Sequence, residues 1–313
     1  MKGKVLVTPR SLTKKGHPAL DALREAGYEV VLSTPGVQPE EAELMRLLPG
    51  CAAYLAGVEK IPARVLEAAK DLRVISRNGT GVDNIDLEAA KRLGIVVCTA
   101  KGANANGVAE LTIGLIFALV RAIPFSDAKL KGEQWQRREG IELAGRTLGL
   151  IGCGAVGKKV ALLSSAVGMQ VIAFDPRADA AFAPASFRWG ALDQLYESSD
   201  IVSLHCPPSA DGKPIIDRAA IRKMKKGVYL VNTARAALLD EEAVLEGLES
   251  GQIAGLALDV FAQEPPKDYL LAKHERVIAT PHIGGYTEES VQRATQEAVD
   301  NTLRNLDQAT RRA

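Results

Sequence analysis

Short apolar runs rich in Val, Ile and Leu recur along this chain between stretches of helical spacing, and that beat constrains the fold more than any other feature. Five runs fall in the first third: KVLVTP, YEVVLS, AAYLAG, RVISRNG and GIVVCT. From Arg146 the beat restarts with RTLGLIG, MQVIAFD, DIVSLH, GVYLVNT, IAGLALDVF and RVIATPH. Strands separated by helix-length connections pair in parallel, because only a crossover of that length returns the chain to the same edge of a sheet. The pattern predicts an α/β protein of two doubly wound parallel-sheet domains. A length of 313 residues suffices for both.

Composition narrows the function. The formal net charge is +1, so no summed field draws in nucleic acid or an anionic membrane, and neither is expected as a partner. Cys51, Cys98, Cys153 and Cys206 form no CxxC pair, which argues against a zinc site or a disulfide framework. No metal is expected. The start MKGKVLVTPRS lacks the apolar run of a signal peptide, and LTIGLIFALV (111–120) is too short for a membrane span, so a cytoplasmic protein is expected. Residues 104–123 are apolar around nearly the whole circumference and predict a helix buried on all sides, with a subunit interface or a domain seam supplying the cover.

LIGCGAVGKK (150–159) carries Gly152, Gly154 and Gly157 at a strand-to-helix turn. Gly152 permits the tight turn, Gly154 lets a pyrophosphate approach the backbone, and Gly157 lets the helix pack on its strand. Ala155 and Val156 open the helix, whose free N–H groups attract phosphate. Asp175 ends the next strand eighteen residues past Gly157, where a carboxylate accepts hydrogen bonds from ribose hydroxyls. That favours NAD over NADP, whose 2′-phosphate the carboxylate repels.

Hydride transfer to a carbonyl needs a proton donor that titrates near the working pH, and imidazole is the usual one. Of four histidines, His282 follows the strand RVIATP at the end where open α/β sheets bind ligands. His205 ends DIVSLH and, with Cys206 and Pro207, reads as a wall of the cofactor site. Arg235 ends LVNTAR, where a guanidinium grips a carboxylate through two parallel hydrogen bonds. Glu264 in DVFAQEPP follows another strand and can orient an imidazole.

With these residues in view, the chain resembles the D-isomer-specific 2-hydroxyacid dehydrogenases, most of all their D-3-phosphoglycerate dehydrogenase branch. RNGTGVDNIDLEAAKRLGIVV, VAELTIGLIFALVR, GRTLGLIGCGAVGKKVA, GVYLVNTAR, GLALDVFAQEPP and VIATPHIGGYT carry the resemblance over nearly the whole length. It implies a catalytic triad of Arg235, Glu264 and His282, with Arg235 holding the substrate carboxylate and His282 exchanging the proton. It implies that Asp259 receives the nicotinamide carboxamide, that Thr233 and Ala234 line the cofactor, and that the turn Asn78, Gly79, Thr80, Gly81 cradles the substrate carboxylate. It implies a Rossmann NAD-binding domain (100–285) inserted into a flavodoxin-like substrate domain (1–99 and 286–313). The helix from Asn104 resembles the family's dimer interface, so a homodimer is expected.

The sequence also departs from that branch. Leu55, Ala56 and Gly57 stand where phosphoglycerate enzymes usually carry an Arg-Ser pair, with Lys60 nearby as the alternative point charge for a phosphate, and Ala236 follows Arg235 where glycine is usual. The chain stops near Ala313, so serine control through a C-terminal regulatory domain is not expected. The expected activity is NAD-dependent interconversion of a small D-2-hydroxyacid and its 2-keto acid. Candidate substrates are 3-phosphoglycerate, glyoxylate or hydroxypyruvate, and lactate-like acids. A formate or phosphite oxidase and an NAD(H)-sensing corepressor-like binding protein are the alternatives. Glu264 argues against the formate version.

Overall fold

The computed structural model describes residues 2–312, with side chains through 308. Met1 and Ala313, the outermost residues of the expected first domain, lie outside the described residues. The strands are β1 (Lys4–Val7), β2 (Glu29–Leu32), β3 (Cys51–Ala56), β4 (Val74–Arg77), β5 (Val96–Thr99), β6 (Thr147–Ile151), β7 (Gln170–Phe174), β8 (Phe187–Trp189), β9 (Ile201–Leu204), β10 (Val228–Asn232), β11 (Ile253–Leu258) and β12 (Val277–Ala279). Every pairing between them is parallel. Only β8, three residues on β7's outer edge, has no counterpart among the apolar runs.

The chain divides into two compact units, one formed by residues up to Asn104 and from Thr287 onward, the other by Ala105–Tyr286. The turn after β5 stays with the first unit because Ala100 N–H donates to Gly79 O at 2.9 Å.

In the first unit the strand order is β2-β1-β3-β4-β5. All six residues of β3 are buried, as a central strand covered on both faces requires. One face packs Leu44, Leu48, Tyr54, Leu66 and Ile75; the other packs Leu12, Leu20 and Leu23 against Val299 and Leu306 of the helix Glu288–Arg312. Each such leucine contributes roughly 1.5–3 kcal/mol by leaving water. The long helix is also pinned by polar contacts: Ser76 Oγ donates to Ala298 O at 2.8 Å, and Asn301 Nδ2 donates to Thr99 O at 3.2 Å.

In the second unit the order is β12-β11-β10-β9-β6-β7-β8, which reverses direction between β6 and β9. Its helix Ala105–Val120 buries Val108, Ala109, Leu115, Ile116 and Val120 but leaves Asn106, Glu110, Gly114 and Phe117 open along one stripe. Within the chain one face of the helix meets its own sheet, and the open stripe is the side for which the sequence predicts cover from a subunit interface or a domain seam. Among the described residues no single helix is long and apolar enough to cross a membrane, and no group of three or more His, Cys, Asp or Glu side chains is placed to hold a metal ion.

Candidate active site

Five strands of the second unit end in residues of chemical interest, all on the carboxyl side of one sheet. Gly152 follows β6, His205 follows β9, Arg235 follows β10, Asp259 follows β11 and His282 follows β12. A parallel sheet with a reversal between β6 and β9 opens its ligand crevice on that side.

The glycine turn has the geometry of a phosphate cradle. Gly152 sits at φ +93°, and a Cβ there would stand 2.6 Å from the His205 carbonyl carbon and oxygen. A Cβ on Gly157 would stand 2.3 Å from Gly152 O, so the helix Ala155–Ala166 reaches its strand only with glycine there. Gly154 caps that helix without a side-chain hydrogen bond, and a Cβ on it would meet nothing within 4 Å. The helix thus presents uncapped N–H groups to open space. Asp175 is held at the end of β7, its Oδ2 accepting from Cys153 N and its Oδ1 from Arg177 N, both at 2.9 Å. These residues fit a dinucleotide.

Three side chains near the turn, His205, Cys153 and Cys206, are uncharged. Burial pushes the His205 imidazole down to about 3, and its Nε2 lies 2.9 Å from Ser203 Oγ. Burial likewise raises the thiols of Cys153 and Cys206 to about 11, so neither carries a charge that would repel a pyrophosphate. Thr233 Oγ1 pairs with Thr112 Oγ1 at 3.0 Å, and Pro207 is exposed.

His282 and Glu264 are in contact, with Nδ1 2.7 Å from Oε2. Glu264 Oε1 accepts from Phe261 N at 3.1 Å, which fixes the carboxylate. The hydrogen bond that His282 donates to the Glu264 carboxylate raises the His282 pKa above its ordinary value, against the opposing effect of burial. Burial raises that of Glu264, but the bond and charge of His282 outweigh it and hold the carboxylate below its usual range. Arg235 is near enough for its charge to lower both pKa values. Both partners of the pair are more than a third exposed, so the contact adds about 1 kcal/mol at most to stability. Its weight lies in setting a proton affinity.

The loop bearing His282 is held from beneath. His282 has φ +52°, a left-handed conformation costly for a residue with a Cβ. Asp259, 1% exposed, brackets it: Oδ1 accepts from Thr280 Oγ1 at 2.6 Å and from Ile283 N at 2.8 Å, and Oδ2 from Gly284 N at 2.8 Å. Sequence reasoning missed this task of Asp259, and also Asn232. The Asn232 side chain donates to Arg235 O at 2.8 Å and accepts from Ala234 N at 3.0 Å, shaping the turn that presents Arg235. An asparagine two residues before the turn's end was the available signal.

In the first unit Asn78, Gly79, Thr80 and Gly81 follow β4. Asn78 N donates to Ala56 O at 2.9 Å, and Arg77 Nε donates to Gly81 O at 2.8 Å. The N–H groups of Gly79, Thr80 and Gly81 donate to no acceptor among the described residues, and Asn78 Oδ1 is buried without a partner.

Comparison with known proteins accords with these features. Residues 113–284 match the model of the D-isomer specific 2-hydroxyacid dehydrogenase, NAD binding domain. The chain is 41% identical to a hydroxypyruvate reductase of Thermotoga maritima over 85% of its own length and 89% of that protein's. It is 39% identical to the D-3-phosphoglycerate dehydrogenase of Rattus norvegicus over 88% of its length, but spans 52% of that protein. Among solved structures, the D-lactate dehydrogenase of Aquifex aeolicus complexed with NAD and lactic acid superposes with a TM-score of 0.83 at 29% identity, covering 98% of this chain and 96% of that one. The chain is thus an NAD-dependent dehydrogenase and belongs to the D-isomer specific 2-hydroxyacid dehydrogenase family.

Proposed function

We propose that the protein interconverts a small D-2-hydroxyacid and its 2-keto acid, with His282 as the proton-exchanging group. The supporting observation is the 2.7 Å contact between His282 Nδ1 and Glu264 Oε2, beside a guanidinium whose charge both groups feel. When bound, NAD would supply the hydride acceptor for oxidation of the hydroxyl-bearing carbon, and NADH the hydride donor for the reverse. Arg235 pairs with the substrate carboxylate and draws electron density from the keto oxygen. With Nδ1 committed to Glu264, His282 has Nε2 left to give that oxygen its proton in reduction and to take it back in oxidation. Glu264 stabilises the imidazolium between those events. The free N–H groups of Gly79, Thr80 and Gly81 form an anion cradle suited to a carboxylate. Gly152, Gly154, Ala155, Val156, Gly157 and Asp175 hold the dinucleotide, with His205, Cys206, Pro207, Thr233, Ala234 and Asp259 around it.

The test is NADH consumption against a panel of 2-keto acids: glyoxylate, hydroxypyruvate, pyruvate and 3-phosphohydroxypyruvate. Turnover of at least one to a D-product is expected. Tight NADH binding with no turnover of any keto acid is the behaviour of a nucleotide sensor and would refute the reading. The protein acts as a homodimer in this reading, because Phe117, Ile123, Leu130 and Trp135 leave apolar surface open along one stretch of chain.

A further inference from the structure

The first unit contains a buried ionisable group that the reaction above does not use. Its strand order reverses between β1 and β3, and the crevice at the carboxyl ends of those two strands is where such sheets receive ligands. Thr8 follows β1, and Gly57, Val58 and Glu59 follow β3. Glu59 is 2% exposed. Three donors converge on its Oε1: Gly57 N at 2.9 Å and the hydroxyls of Thr8 and Tyr54, themselves 1% and 0% exposed. Burial, and then the neighbouring Glu59, hold the Tyr54 phenol well above its ordinary range, so that it stays a donor. Asn84 Nδ2 ties down the same loop, donating to Glu59 O at 2.6 Å.

A backbone N–H and two hydroxyls aimed at one point make an anion site. Here the chain's own carboxylate fills it. A Cβ on Gly57 would lie 2.6 Å from Glu59 Oε2, so a side chain at position 57 would have to push the carboxylate aside. Arg77, at the end of β4, is 7% exposed and turned to Ala56 O at 3.4 Å and Gly81 O at 2.8 Å. An incoming phosphate at this crevice would find its donors taken and a negative charge in their place. An uncharged or hydroxyl-bearing tail meets no such repulsion.

We propose that Glu59 is a specificity-determining residue, which makes the crevice between β1 and β3 take 2-keto acids with an uncharged or hydroxyl-bearing tail and exclude those with a phosphorylated one. This rests on the reaction assigned above and divides two activities carried by its relatives, hydroxypyruvate reductase and D-3-phosphoglycerate dehydrogenase.

The experiment compares kcat/KM for hydroxypyruvate and 3-phosphohydroxypyruvate, at saturating NADH, in the native protein and in Glu59→Gln, which keeps an acceptor and removes the charge. The native protein is expected to favour hydroxypyruvate. The variant is expected to narrow that preference at least about tenfold, through KM for the phosphorylated acid, as removal of one like charge from a partly desolvated site implies. A native preference for the phosphorylated acid, or a preference unmoved in Glu59→Gln, overturns the proposal. Calorimetric titration with 3-phosphoglycerate provides a second readout that needs no turnover. The native protein is expected not to bind it, and binding overturns the proposal even where the variant fails to fold. If neither of these two keto acids is reduced, the reaction reading stands or falls on glyoxylate and pyruvate, and the same titration of Glu59→Gln decides the role of Glu59: binding gained by the variant is expected, and binding by neither protein overturns the proposal.

Discussion

At the residue scale, the account turns on how one imidazole is tuned. Reduction of a keto acid consumes a protonated His282, so kcat/KM for reduction is expected to fall as pH rises through its raised pKa, while kcat/KM for oxidation climbs through the same value. The bond to Glu264 is the largest cause of that elevation, so Glu264→Gln is expected to move both inflections to lower pH. Stopped-flow or steady-state pH profiles measure this; inflections that stay in place would remove Glu264 from the role. Arg235→Lys exchanges a planar fork for a point charge and is expected to lower kcat/KM about 100-fold or more, with the NADH dissociation constant nearly unchanged. Arg235 and His282 stand out in the sequence because each lies three residues past a strand, and Glu264, six residues past β11, is legible from its place in DVFAQEPP. Asp259's task is not, because its partners Thr280, Ile283 and Gly284 lie 21 to 25 positions away and meet it only once β11 and β12 pair.

At the scale of the element, the three glycines after β6 separate packing from binding. A methyl at Gly157 collides with Gly152 O, and one at Gly152 collides with the backbone after β9 while also straining φ. A methyl at Gly154 touches nothing. Gly154→Ala is therefore expected to keep the thermal midpoint within about 2 °C of native yet to weaken NADH binding about tenfold or more, because the added methyl occupies the approach to the helix N-terminus. Gly157→Ala is expected to lower the midpoint by several degrees, as overpacking of about 1–3 kcal/mol does. Calorimetry and fluorescence titration read the two effects separately. The same motif shows why most elements were readable: strand, turn and helix each carry a local signal, and in the sequence they agree. The edge strand β8 has no such signal, since three residues carry no periodicity and its pairing comes from contact with β7. The helix Ala105–Val120 is a different case. Its apolar circumference records what covers it in total, and the chain's own core covers only one side.

At the scale of the whole molecule, that uncovered side bears on assembly. A dimer is expected at twice the chain mass of 33.3 kDa by light scattering, and Phe117→Glu, which places a charge in the open stripe, is expected to shift it toward the monomer. A native monomer at micromolar concentration would contradict this. The two sheets were foreseeable because repeated strand-helix units dictate parallel pairing, whereas the filled anion site at Glu59 depends on Thr8, Tyr54 and Gly57 converging from two strand ends. The central claim, that His282 supplies the proton at a dinucleotide-binding edge, is tested most directly by keto-acid reduction in His282→Ala at saturating NADH. The account predicts a fall in kcat of about 100-fold or more with NADH affinity retained. Reduction at the native rate by that variant would contradict it.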